Sequence, residues 1–253
     1  MSDPAADMST DAAWEEWGKS DPYFGVITDP RFRQTALDEH AKRDFFATGK
    51  GHVDYLIGRI KERFDPGFSP RNILDFGCGV GRLLIPFSPL AQQVVGLDVS
   101  QSMLQEARRN CDALNLRNVQ LLVSDDQLSA LTDSYDLVHS CIVFQHIPFS
   151  RGIVIFTALL RHLRPGGIGA IHLVYSKIHF ADTHGVAPIG PHPPVAPEAP
   201  PSVDPDPVIQ MNSYNINPIL FALQSAGIRD FYTDFTDHGG ELGIFLFFKM
   251  PLA

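Results

Sequence analysis

The 253-residue chain carries 20 Lys and Arg against 29 Asp and Glu, a formal net charge of −9, and 44% of it is hydrophobic. That length and composition fit one elaborated globular domain with a sizeable core. The charge disfavours DNA or RNA as a partner, because binding phosphates draws on Lys and Arg, and no apolar window of about 18 residues is present to span a membrane. The acidic, polar start is unlike a secretory leader. Cys78, Cys111 and Cys141 are odd in number and far apart, forming neither a disulfide framework nor a zinc pattern. The expectation is a cytoplasmic protein without a metal site.

In chain order, residues 1–51 read as an N-terminal extension. Trp14 and Trp17 stand three apart, as on one face of a short helix, and an aromatic stretch follows with Tyr23, Phe24, Phe32, Phe45 and Phe46. Residues 58–63, Gly-Arg-Ile-Lys-Glu-Arg, read as the wet face of an amphipathic helix. The most informative stretch comes next. The apolar run Arg71-Asn72-Ile73-Leu74 leads through Asp75 and Phe76 into Gly77-Cys78-Gly79-Val80-Gly81-Arg82, ahead of a helical-looking segment over 80–90. This predicts a strand, a glycine turn and a helix start, whose open amides would face a ligand. Asp75 would repel a pyrophosphate and welcome a cation, and S-adenosylmethionine carries both a sulfonium and an ammonium.

Asp98, at the end of a second strand over 93–98, is placed to accept hydrogen bonds from ribose hydroxyls. The spacing is GxGxG, where dinucleotide sites use GxGxxG. Ser100 is a candidate N-cap for the helix that follows. A third strand over 119–124, a fourth over 135–140 and a helix from about 151 follow. Leu163-Arg164-Pro165-Gly166-Gly167 then ends that helix and turns into a fifth strand over 168–175. That strand is apolar throughout, as one covered on both faces should be. Residues 186–207 hold nine prolines and are expected to form an extended loop or a flexible insertion. A helix over 215–226, stopped by Gly227, and an antiparallel hairpin close the chain.

On these motifs the chain resembles the class I SAM-dependent methyltransferases, from about residue 51 to 175 and again from 214 to the end. The resemblance implies an α/β fold: a Rossmann-like, seven-stranded, mostly parallel sheet with helices on both faces and an antiparallel last strand. It implies a methyltransferase domain over 52–253, with the proline-rich insertion at about 176–213. The cofactor would be S-adenosyl-L-methionine, leaving S-adenosyl-L-homocysteine. By the same resemblance, Gly77, Cys78 and Gly79 contact its methionine part through backbone, with Gly81 completing the turn. Asp75 orients the amino group, Arg82 faces the carboxylate or braces the turn, and Asp98 holds the ribose. Val99 and Met103 flank the adenine, although Met103 reads equally as a core residue. Asp125 receives the adenine amine and Asp126 supplies an amide. Ser140, at the end of the fourth strand, is a further cofactor contact, and residues 141–148 lie beneath the sulfonium, facing the acceptor. The N-terminal extension, with Tyr23 and Phe24, reads either as a lid that excludes water or as a strap on the core.

Methyl transfer needs a base only where the acceptor is protonated. His146 is the first candidate and His238 the second, with Asp237, His172 and Tyr175 behind them and Tyr214 a candidate pocket wall. His179 and His184 do not suffice for a metal. The expected function is methyl transfer to O or N of a small-molecule acceptor. The competing readings are a nucleic-acid or protein methylase, a nicotinamide oxidoreductase, and a non-catalytic SAM-binding scaffold. Residues 140–143, Ser-Cys-Ile-Val, replace the NPPY-type tetrapeptide of DNA amino-methylases.

Overall fold

A computed structural model describes residues 9–177, 206–207 and 209–252. Most of the proline-rich insertion, with His179 and His184, lies outside the described residues. In chain order the elements are α1 (Thr10–Ser20), α2 (Pro22–Val26), α3 (Glu39–Arg63), β1 (Asn72–Phe76), α4 (Leu84–Phe87), β2 (Gln93–Asp98) and α5 (Gln101–Ala113). They continue with β3 (Val119–Val123), β4 (Tyr135–Ser140), α6 (Phe149–Arg161), β5 (Leu163–Lys177), α7 (Ile216–Ser225), β6 (Asp230–Asp237) and β7 (Glu241–Lys249).

The strands form one sheet in the order β3-β2-β1-β4-β5-β7-β6. β7 runs antiparallel to both of its neighbours, and the other pairs are parallel. Strand order reverses between β1 and β4, and in such sheets the crevice at the carboxyl ends of those strands is where ligands bind. Asp75 sits at that end, in register with Gly96 of β2 and His139 of β4. No described helix is long and apolar enough to cross a membrane.

Side chains alternate across the sheet with the period of two that strands impose. Leu74, Val138 and Ile171 face Phe156 and Leu159 of α6 and Leu223 of α7. Ile73, Leu137 and Ala170 face Leu56 and Ile60 of α3 and Phe87 of α4. A third cluster joins Trp17, Tyr23, Phe24, Phe32 and Phe45 to Val80 and Met103. It straps the N-terminal segment onto the glycine turn.

The structure corrects two expectations. The helix over 80–90 shrinks to Leu84–Phe87 and a 3-10 turn over Ser88–Leu90. Gly79 and Gly81 have φ of +52° and +85°, which no right-handed helix accepts. The Pro-Gly-Gly punctuation lies inside β5, not between a helix and a strand. α6 already ends at Arg161, and residues 164–167 form an irregularity between the pairs Leu163–Tyr135 and Ile168–Leu137. Residues 51 and 52 lie within α3.

Gly49 of α3 makes a close approach possible. A Cβ built there would lie 2.3 Å from the Arg82 carbonyl oxygen. Alanine favours an exposed helix over glycine by about 0.5–1 kcal/mol, but overpacking against rigid backbone costs about 1–3 kcal/mol. Gly49→Ala is therefore expected to lower the denaturant midpoint, and an unchanged or raised midpoint would contradict this packing.

Candidate active site

The glycine turn is shaped by the residues beneath it. The amides of Gly77 and Cys78 both donate to the Leu97 carbonyl, at 2.8 and 2.9 Å, and Gly81 donates to Cys78 O at 3.0 Å. The Gly79 amide donates to Asp98 Oδ2 at 2.8 Å. The donors expected to greet a ligand are thus spent within the fold. A loop whose amides are committed, flanked by two carboxylates, suits a cation and repels a pyrophosphate.

Asp75 is 1% exposed. Its Oδ1 lies 2.7 Å from His139 Nδ1, while Oδ2 is buried with no hydrogen-bond partner among the described residues. Asp98 receives the Ser100 amide on Oδ1 at 2.9 Å and the Gly79 amide on Oδ2. Burial pushes its pKa up to about 6, against the lowering effect of those amides. Ser100 caps α5, accepting from the Met103 amide at 3.1 Å.

One cleft of about 1000 Å³ gathers Asp75, Gly77, Cys78, Gly79, Arg82, Asp98, Val99, Met103, Asp125 and Asp126. Gly81 and Ser140 stand outside its lining. Gly81 turns the chain beside α5, where a Cβ built on it would lie 3.4 Å from Ala107 Cβ, and Ser140 is fully buried, its hydroxyl without a hydrogen-bond partner among the described residues. Met103 serves both of its readings, being buried in the N-terminal cluster and edging the cleft. Asp125 Oδ1 accepts the Gln127 and Ser129 amides at 2.9 and 3.0 Å, bracing its own loop. Asp126 pairs with Arg151, which reaches on to Asp11 of α1.

α1 closes this cleft. Thr10, Asp11 and Trp14 line it, and Glu15 accepts from the Ser100 and Ser102 hydroxyls at the head of α5. Tyr23 and Phe24 do not line it: both are buried in the strap, and the Tyr23 hydroxyl donates to Glu106 at 2.7 Å.

A second cleft of about 1070 Å³ adjoins the first, sharing Gly25, Val26, Arg82, Ile142 and His146 with it. The two candidate bases, His146 and His238, both line this second cleft. His146 stacks edge-on against Trp14, and its Nδ1 lies 3.0 Å from the Gln210 carbonyl. A carbonyl only accepts, so Nδ1 carries the hydrogen and the neutral ring keeps its lone pair on Nε2. Ile142, between the clefts, has φ of +59°. That is a strained conformation for a β-branched residue, of the kind found at functional sites.

The remaining candidates fall away. Burial lowers the His172 pKa to about 3, and its Nε2 meets the Thr236 hydroxyl at 2.9 Å. Asp237 accepts the Gly240 amide in the hairpin turn. Tyr175 lines neither cleft. Tyr214 is core, with its hydroxyl donating to Ile147 O at 2.8 Å. Glu15, His52, His139 and Arg151 were not singled out as site residues in the sequence, and Ile142 entered only as part of the 141–148 segment. Trp14 and Trp17 were read as a helical pair, and of the two it is Trp14 that reaches the cleft.

Residues 73–167 match a family model described as a methyltransferase domain. Those residues carry a class I SAM-dependent methyltransferase domain. It is 32% identical to a malonyl-[acyl-carrier protein] O-methyltransferase of Acetivibrio thermocellus, over 51% of this chain and 44% of that protein. It is 36% identical to a trans-aconitate 2-methyltransferase of an Azoarcus species, over 40% and 38%. With a ubiquinone biosynthesis O-methyltransferase of Cereibacter sphaeroides it shares 28% over 46% and 49%. The matches thus span less than half of each relative. The methyltransferase domain also resembles, in fold, magnesium protoporphyrin IX methyltransferase of Synechocystis PCC 6803. The TM-score is 0.62 at 18% identity, covering 93% of this chain and 97% of that one.

Proposed function

We propose that the protein transfers a methyl group from S-adenosylmethionine to an oxygen or nitrogen of a small-molecule acceptor. The observation that carries this reading is the pair of buried carboxylates, Asp75 and Asp98, flanking a glycine turn whose amides are already committed. The orphaned Asp75 Oδ2 and the cleft-lining Arg82, whose Nε is buried without a partner among the described residues, fit a ligand carrying an ammonium and a carboxylate. A nicotinamide dinucleotide would bring a pyrophosphate to a turn flanked by two carboxylates, where the Gly77, Cys78, Gly79 and Gly81 amides are already committed.

When bound, S-adenosylmethionine supplies a methyl carbon activated by its sulfonium. Asp98 accepts from the ribose hydroxyls, Asp75 receives the ammonium, and the Asp125–Asp126 loop bounds the adenine end. The segment over 9–51 acts as lid and strap together, with Trp14 and the Arg151–Asp11 ion pair excluding water. The acceptor enters the second cleft, where its reacting atom meets His146. Placement in contact supplies much of the rate, and His146 Nε2 takes the proton of a hydroxyl or ammonium acceptor. The net charge of −9 weighs against nucleic acid. The malonyl-[acyl-carrier protein] and ubiquinone biosynthesis O-methyltransferases among the relatives favour oxygen as the methylated atom.

The test is release of S-adenosylhomocysteine across a panel of carboxylic acids, phenols and amines. With an active acceptor in hand, His146→Gln is expected to lower kcat by roughly 10²–10⁴-fold. Affinity for S-adenosylhomocysteine should change little. An unchanged kcat removes His146 as the base.

A further inference from the structure

We infer that His139 and His52 form a buried relay that holds the Asp75 carboxylate in the orientation that receives the cofactor's ammonium, which makes both histidines positioning residues. The inference rests on the cofactor reading above and extends it to residues that do not touch the cofactor.

The geometry starts from the sheet. Parallel pairing of β1 with β4 puts Asp75 and His139 side by side on the same face. His139 is fully buried between Phe87 and Phe245, with ring centroids at 5.3 and 5.9 Å. Its Nδ1 lies 2.7 Å from Asp75 Oδ1, and its Nε2 lies 3.0 Å from Nε2 of His52, on α3. An ionised carboxylate only accepts, so His139 Nδ1 carries the hydrogen. The tautomer with its hydrogen on Nδ1 accepts on Nε2, and His52 donates to it. This leaves the His52 Nδ1 lone pair 4.0 Å from Cys141 Sγ, a weak thiol donor. Each hydrogen along the line points toward Asp75.

The relay fixes the carboxylate by one oxygen. With Oδ1 tied to His139, the plane of the group is set, and Oδ2 is left buried without a partner among the described residues, on a side chain whose residue lines the cofactor cleft. A hydrogen-bonded neighbour that locks a ligating carboxylate is the usual means of holding such a group ready, and loose support at this level loses affinity.

A competing use of the same atoms is a nucleophilic Cys141 activated by His52. Burial opposes it on both sides. The Cys141 thiol is pushed up to about 12 and the His52 imidazole down to about 2, so no thiolate–imidazolium pair forms near neutrality. Among the described residues no group of three or more His, Cys, Asp or Glu is placed to hold a metal ion.

The experiment compares the affinity of the full chain for S-adenosylhomocysteine with that for its des-amino analogue, which differs only in lacking the ammonium. The wild type should prefer S-adenosylhomocysteine. His139→Leu should shrink that preference at least fivefold, with affinity for the des-amino analogue nearly unchanged. His139→Asn, whose amide nitrogen takes the place of Nδ1, should restore most of the preference. Should His139→Leu not fold, His52→Leu provides the second reading, with the preference expected to fall about threefold. A folded His139→Leu or His52→Leu with the wild-type preference overturns the relay, as does an asparagine variant no better than leucine. Wild-type protein that binds neither ligand overturns the cofactor reading itself, a result distinct from loss of preference in the variants.

Discussion

Asp98→Ala is expected to weaken S-adenosylhomocysteine binding by about 1–3 kcal/mol, roughly 5- to 150-fold in Kd, as measured by calorimetry. The carboxylate stands to accept two ribose hydroxyls, and its oxygens also receive the Gly79 and Ser100 amides. Part of the loss will therefore come from the loop that Asp98 holds. A pH series separates the two contributions. Burial raises the Asp98 pKa to about 6, so the charged acceptor is depleted as pH falls through 6. Wild-type affinity should fall between pH 7 and pH 5, and the slope should flatten in Asp98→Ala. The stability of the unliganded fold should carry the opposite sign. A carboxyl whose pKa is raised on folding binds its proton more tightly in the native state. Its stabilising contribution is complete below the unfolded pKa and is lost as pH rises through about 6. Ionised Asp98 is thus a strained feature of the free protein that a bound ribose relieves. Unchanged affinity in a folded Asp98→Ala protein would remove the ribose assignment.

Gly77→Ala is expected to cost about 2–5 kcal/mol and to abolish measurable cofactor binding. Two penalties combine. Gly77 has φ of +74°, and a Cβ there would lie 2.3 Å from Val143 Cγ2. Val143 belongs to the segment after β4 that lines the same cleft, so relieving the clash means moving the cleft wall. Adding Val143→Ala should return the steric part and leave about 1–2 kcal/mol of backbone strain. Urea unfolding of the single and double variants reads this directly. If the single variant matches wild type in stability, or if the double variant is no better than the single, the close approach is wrong.

Most of the sheet was legible in the sequence because its strands are short apolar runs with clear ends. Gln93–Asp98 and Tyr135–Ser140 form over the expected residues, each ending on a polar side chain that turns into a loop. The last helix, Ile216–Ser225, falls within the expected 215–226 and ends before Gly227, with Asn215 serving as its cap. The helix after the glycine turn misled because Val80, Leu83 and Leu84 have helical spacing, whereas Gly79 and Gly81 need a conformation that no spacing reveals. The carboxylates were legible as motif residues, but what holds them was not. Asp75 meets His139 across 64 residues of chain, and Arg151 meets Asp11 across 140. Such contacts depend on strand register and helix docking, which one sequence does not encode locally. Tyr214 was misplaced for a similar reason: beside an insertion it reads as a pocket wall, yet its hydroxyl finds Ile147 O in the core.

Calorimetric titration of the purified protein with S-adenosylmethionine, S-adenosylhomocysteine and NADH tests the central claim most directly. Two acidic strand ends and a glycine turn with committed amides call for binding of the first two and not of NADH. Binding of NADH alone, or of none of the three, would contradict the assignment of this cleft to S-adenosylmethionine.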